Sequence, residues 1–211
     1  MDKPAKQRKG KKIMKKGTRL KLMAGLMLLL TLILACPVSA ASKKKKALNA
    51  YNAYLAQHTG TVTQFDLIYL NNDSVPELVT GKQIYTFKSG NVVKLDNSVE
   101  TSYFISSYYK KKGILVQGYA HGGYYPSQFT LYSKMSGKKL VQKLEHGKFG
   151  QMNFSTGKYS FTNTYSKING KKSKKIVKKD FNKALKGLVK SKKPTKIKLK
   201  ENSVANRDKY L

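Results

Sequence analysis

Phe65-Asp-Leu-Ile-Tyr-Leu-Asn-Asn-Asp-Ser-Val-Pro-Glu-Leu-Val-Thr80 is the stretch on which the fold turns. An apolar run, Phe65 to Leu70, enters it. A polar turn, Asn71 to Ser74, interrupts it, and Leu78 and Val79 lead out. The pattern predicts strand, tight loop, strand. The first run is too continuously apolar for a strand with one wet face, so it predicts a central strand covered on both sides. Asn and Asp bond their own backbone in Asx turns, and Pro76, with a fixed φ and no N–H, suits the start of a strand after the turn.

Upstream, Leu48, Tyr51 and Leu55 recur at helical spacing, which predicts a helix over Ala47–His58, stopped near Gly60. Lys43 to Lys46 form a basic lead-in. Downstream the period becomes two. Gln83–Lys88 and Asn91–Leu95 flank the turn Ser89-Gly90; Thr101–Tyr109 and Ile114–Tyr119 flank Lys110–Gly113; Ser127–Ser133 and Lys139–Glu145 flank Lys134–Lys138. Lys158–Tyr165 alternates aromatic and hydroxyl residues, and Asn169-Gly170 makes a turn. A second helix follows over Lys178–Lys190, with Phe181, Ala184, Leu185, Leu188 and Val189 on one face and Asp180 in its first turn. Ile197 and Leu199 alternate with lysines as a short charged edge strand. The expected fold is α+β: an antiparallel β-meander of about seven or eight strands flanked by an N-terminal and a C-terminal helix. It occupies residues 41–200, with residues 201–211 as a tail.

The 211 residues carry 43 Lys and Arg against ten Asp and Glu, a net charge of +33. Such a balance points to an anionic partner. Residues 1–40 read as a secretory signal peptide. A basic segment precedes Leu22 to Ala35, an uncharged run of 14 residues. That is short against the roughly 20 residues of a spanning helix. Val38-Ser39-Ala40 then offers small residues for a cut after Ala40, and Met14 offers a start alternative to Met1. Ile33-Leu34-Ala35-Cys36 also has the pattern of a lipobox, so a lipid anchor at Cys36 competes with cleavage at Ala40. Cys36 is the single cysteine; cleavage at Ala40 leaves a secreted chain without disulfides. Ten basic residues and one acid lie in residues 1–40, which leaves +24 over residues 41–211, with Arg207 as the one arginine. Lysine is a point charge, whereas arginine forks onto phosphates and guanine edges. The composition therefore suits diffuse attraction, and no specific nucleic-acid readout is expected.

Leu67-Ile-Tyr-Leu-Asn-Asn-Asp-Ser-Val-Pro-Glu-Leu-Val79 resembles the D-[IL]-[DN]-[GN]-D-G-x-P-E-L segment of secreted proteins and lipoproteins of gut-type Firmicutes. That segment is patterned like the calcium loops of FG-GAP and VCBS-type β repeats. The Ala-Tyr-x-x-Tyr-Leu helix, the Tyr165-x-x-Ile-Asn-Gly-Lys171 turn and the Asp180-Phe-Asn-Lys-Ala-Leu helix are similar too, so the resemblance spans roughly residues 47–190. It implies a Gram-positive, exported protein and a loop in which Asn71, Asp73, the Val75 carbonyl and Glu77 would be metal ligands. The family's first Asp is Tyr69 here, and its loop Gly is Ser74. Ca²⁺ takes six to eight oxygens, so with two carboxylates this is at most a weak calcium site. The competing reading is a plain Asx turn.

His58, His121 and His146 are scattered, without metal-ligand or catalytic spacing. Gly118-Tyr-Ala-His-Gly-Gly-Tyr-Tyr125 is the loop with ligand-binding character: Tyr119, His121, Tyr124 and Tyr125 would form an aromatic platform for sugar or peptide, or else cap the sheet. The function expected is that of a secreted, non-enzymatic, cell-envelope-associated protein whose lysines hold anionic cell-wall polymer or a membrane surface. Alternatives are sequence-independent nucleic-acid binding, and a wall-acting enzyme or inhibitor using residues 118–126. No cofactor is expected beyond weak calcium.

Overall fold

The structure is a computed structural model that describes residues 40–97, 103–123 and 125–211. Leader residues 1–39, Cys36 included, the start of the expected strand at Thr101 and Ser102, and Tyr124 lie outside the described residues. The compact unit is Ser42–Leu211. It is α+β. Helix α1 covers residues 40–57, so the basic lead-in at Lys43–Lys46 is itself helical.

Two sheets follow. The smaller has the order β13-β1-β2-β3-β4. Here β1 is Gln64–Ile68, β2 Glu77–Thr80, β3 Gln83–Lys88, β4 Asn91–Lys94 and β13 Lys200–Glu201. The larger has the order β11-β10-β9-β8-β7-β6-β12. Its strands are β6 Phe104–Tyr109, β7 Ile114–His121, β8 Ser127–Ser136, β9 Lys139–Asn153, β10 Lys158–Asn169, β11 Lys172–Lys175 and β12 Thr195–Lys196. Every pairing is antiparallel except that of β5, Asp96–Asn97, which runs parallel to the start of β9. The hairpins expected from Ser89-Gly90, Lys110–Gly113 and Lys134–Lys138 are all present. The sequence pattern missed β11, whose Lys-Ser-Lys-Lys has no apolar side chain to betray it.

Burial orders the sheets into layers. Phe65 and Leu78 pack with Ala47, Tyr51 and Leu55 of α1 on one face of the small sheet. Ile68, Val79 and Ile84 face the other way, against Ile105, Tyr108, Leu115 and Leu140 of the large sheet. On the large sheet's far face Tyr109, Ile114 and Val116 meet Val189, Leu185 and Leu188 of helix α2, Lys178–Val189. The order is helix, sheet, sheet, helix. As a central strand should, β1 is paired on both sides, with β2 and β13.

Chain segments sew the sheets together. The N–H groups of Lys111 and Gly113, in the β6–β7 turn, donate to the carbonyls of Tyr69 and Leu70 at 2.9 and 2.6 Å. Ile197 and Leu199 are not in a strand. They pack into the core between β12, on the edge of the large sheet, and β13, on the edge of the small one.

Residues 201–211, expected as a tail, belong to the compact unit. Val204–Tyr210 forms helix α3, capped by the Ser203 hydroxyl, which accepts from the Asn206 N–H at 3.3 Å. Asn202 is the clasp. Its amide donates to the carbonyls of Leu55 and Val62 at 3.0 and 2.8 Å, and its oxygen accepts from the buried Arg207 guanidinium at 2.9 Å. Asn202→Ala removes those three bonds and leaves the guanidinium with its longer bond, at 3.3 Å, to the backbone carbonyl of residue 202, and we expect a loss of roughly 2 kcal/mol in urea unfolding. A loss below a few tenths would mean that the C-terminal segment contributes no clasp.

Candidate functional site

The loop between β1 and β2 is held by its own side chains. Asn71 Oδ1 accepts from the Asp73 N–H at 3.0 Å, and Asn71 Nδ2 donates to Asp73 Oδ2 at 2.9 Å. Asp73 Oδ1 accepts from the Val75 N–H at 2.9 Å. These are Asx-turn bonds. Glu77, the first residue of β2, points inward, is 1% exposed, and accepts from the Leu70 N–H at 2.9 Å. The Tyr51 hydroxyl of α1 donates to the Pro76 carbonyl at 2.9 Å and fixes the loop's exit.

This geometry does not fit a calcium shell. Both Asp73 oxygens and the Asn71 oxygen already accept hydrogen bonds or face a donor within the turn. Where the family pattern has its first carboxylate, the ring of Tyr69 lies under the ammonium groups of Lys44 and Lys110, each 5.8 Å from its centroid. A divalent cation would meet two positive charges there. Among the described residues, no group of three or more His, Cys, Asp or Glu gathers as if for a metal ion.

The loop's chemistry lies in Glu77. Burial pushes its carboxyl up from 4.5 to about 7; the Leu70 N–H opposes that shift, and the negative charge of Asp73 adds to it. Burial likewise raises Tyr51, which therefore stays a hydroxyl donor.

Among the described residues of that expected group, Tyr119 joins a ring cluster, with other partners. Its ring contacts Tyr103 at 5.6 Å and Phe129 at 6.3 Å, and Phe129 meets Phe149 edge-on at 5.2 Å. His121 ends β7 and is exposed, in register with Ser127, itself opposite Phe149. Tyr125 is 65% exposed. The described rings of this row are tilted against one another, at 44°, 32° and 87°, and do not share one plane. The sequence reading missed Phe129 and Phe149. The available signal was the glycine beside them in β9: a Cβ on Gly147 would sit 2.9 Å from the Phe149 ring, so the ring needs the glycine. His58 and His146 are structural. The first stacks on Tyr54, the second on Tyr165, and each also makes a hydrogen bond.

The strongest concentration of one chemistry lies elsewhere. Residues 167–200 hold 15 lysines and one acid, Asp180. They form the end of β10, all of β11, α2 and β12. Every residue of β11 is exposed, as are Lys178, Lys179, Lys183 and Lys186 on the outer side of α2. Among the described residues there are two ion pairs, Lys139 with Asp96 at 3.9 Å and Lys200 with Asp66 at 2.6 Å. The second ties the C-terminal segment to β1, with the Lys198 N–H also donating to Asp66. Asp66 is thus a structural anchor. No family model, curated protein or solved structure matches this chain.

Two outcomes follow for the loop. Asp73→Ala should lose about 1–2 kcal/mol in thermal or urea unfolding, equally in calcium and in chelator. A wild-type melting temperature that rises with millimolar calcium, and a variant in which it does not, would show a working metal site.

Glu77 sets the second. Between pH 4.5 and about 7 the folded protein keeps a proton that the unfolded chain has released, so stability falls as pH rises through that window. Glu77→Gln keeps the acceptor for the Leu70 N–H but does not titrate. Relative to this variant, the wild type should lose on the order of 3 kcal/mol between about pH 4.5 and pH 8. A stability difference that does not change with pH would refute the inward, desolvated carboxyl.

Proposed function

We propose that this is a secreted, strongly basic, non-enzymatic protein of a Gram-positive cell envelope, held to anionic polymer by its lysine face. The observation that carries the reading is the imbalance over residues 167–200, 15 lysines against one acid, on contiguous exposed elements whose lysines, Lys200 apart, make no ion pair among the described residues. Such a face attracts a polyanion by releasing its condensed counterions, and needs no shaped site to do so. Export rests on the leader: the basic segment, the apolar run Leu22 to Ala35 and the small residues before Ala41, with lipidation of Cys36 as the competing anchor.

The type of basic residue favours a repeating phosphate polymer such as teichoic acid, or a phospholipid surface, over base-specific nucleic-acid recognition. Arg207, the one arginine of residues 41–211, is buried and bonded to Asn202, so no guanidinium fork of these residues is offered to a ligand. No helix among the described residues is long and apolar enough to cross a membrane.

The test is retention of the purified protein on cell walls with and without their teichoic acid, across a salt series. Retention should need the anionic polymer, and affinity should fall roughly a hundredfold between about 50 and 200 mM salt. Affinity that is flat with salt, or unchanged on walls stripped of polymer, overturns the reading.

A further inference from the structure

Two adjoining cavities, of about 430 and 530 Å³, lie between α2 and strands β9 to β11 and share Lys167 and Ala184. Together they form one groove on the lysine face. Lys143, Lys167, Lys174 and Lys183 line it, with Asp180 as its one acid. The floor is apolar: Leu144 from the sheet, the cross-strand partner of Lys167, Ala184 and Leu188 from α2, and Ile176 at one end.

Two features here break local rules without a packing gain. Lys167 and Lys174 are directly opposed across the β10–β11 ladder, a like-charge pair that weakens the hairpin, and neither makes an ion pair among the described residues. Gly187 sits inside α2, where glycine weakens a helix, and a Cβ built there meets nothing within 4 Å. Nothing in the packing requires the glycine; what its missing side chain does is leave the groove open. Uncompensated departures of this kind mark functional positions.

We infer that this groove is a binding site for an anionic glycerophospholipid, with the headgroup phosphodiester among Lys143, Lys167, Lys174 and Lys183 and the first part of an acyl chain on the floor between β10 and α2. Charge and surface together select the occupant. Four lysines against one acid call for an anion, and a bare polyanion would leave the apolar floor facing water. An amphiphile with one phosphate and a hydrocarbon tail satisfies both parts, and the combined space is of the size that takes a small ligand or part of a larger one. The inference rests on the polyanion reading above and gives that face its one selective contact.

Short-chain lipids below their micelle concentration test it, by calorimetry on the purified protein. Dihexanoyl phosphatidylglycerol should bind. Glycerol phosphate, which lacks the chains, and dihexanoyl phosphatidylcholine, which lacks the net charge, should each bind at least about tenfold more weakly. Lys167→Glu converts the repulsive pair into an attractive one, and Gly187→Leu improves the helix while filling the groove. Both should raise the melting temperature, so lost binding in them cannot come from unfolding. Each should weaken dihexanoyl phosphatidylglycerol by about tenfold. Lys88→Glu with Lys94→Glu, on the small sheet's far hairpin, should leave it unchanged. Equal binding of glycerol phosphate and the lipid, or wild-type binding in either groove variant, overturns the groove. Salt-dependent retention on teichoic acid draws on the whole face and would survive that result. Loss of this retention in the wild type instead brings down the broader reading.

Discussion

Strand β1 has to bury both of its faces at once, and the architecture follows from that. Phe65 and Leu67 point to helix α1; Ile68, and Leu70 just beyond the strand, point to the large sheet. A strand so placed cannot be an edge, because its ladder groups would be left without partners away from water. It is flanked by β2 through the Asn71–Glu77 loop and by β13, which arrives from the far end of the chain. The polar residue in its middle, Asp66, lies half-buried and is satisfied by Lys200 and by the Lys198 N–H. The same contacts hold the C-terminal segment in place.

The second sheet depends on the first through the cluster they share. Ile105, Tyr108, Leu115 and Leu140 cover one side of β1 to β3, and the opposite face of the large sheet is then closed by α2. Strands β8 to β10 are long, and their outer ends carry the aromatic row of Tyr119, Phe129 and Phe149. Glycines make room for rings on these strands: Phe149 lies over Gly147 of its own strand, and Phe161 of β10 over Gly150 directly opposite. The aromatic row therefore has a structural reason to exist.

Charge is distributed by the same layering. Acids that are buried or anchored, Glu77 and Asp66, serve the small sheet and its loop. Lysines gather where the chain has only an outside: on β11, which is exposed throughout, and on the outer side of α2. A surface of this composition repels itself, and an anionic partner relieves that repulsion. At the β10–β11 hairpin, where Lys167 opposes Lys174, that repulsion weakens the pairing, and the proposed anionic partner would offset it.

The sequence by itself determined the local structure. Hairpin turns at Ser89-Gly90, Lys110–Gly113 and Lys134–Lys138, both long helices and the central place of β1 are legible because periodicity and turn chemistry are properties of neighbouring residues. The Asx loop was legible for the same reason, since Asn71 and Asp73 bond within a few residues of themselves. The lysine excess was countable, yet its gathering into one groove was not. That groove needs Lys143, Lys167, Lys174 and Lys183 from four elements side by side, and only strand order and helix placement decide this. The tertiary structure alone also divided one expected meander into two sheets, turned Glu77 inward and drew Ile197, Leu199 and Asn202 back to the first helix and strand. Each of these is a contact between residues far apart in the chain or a burial that no local pattern encodes. Charged or amide side chains such as Glu77 and Asn202 look like surface residues until the fold supplies their partners.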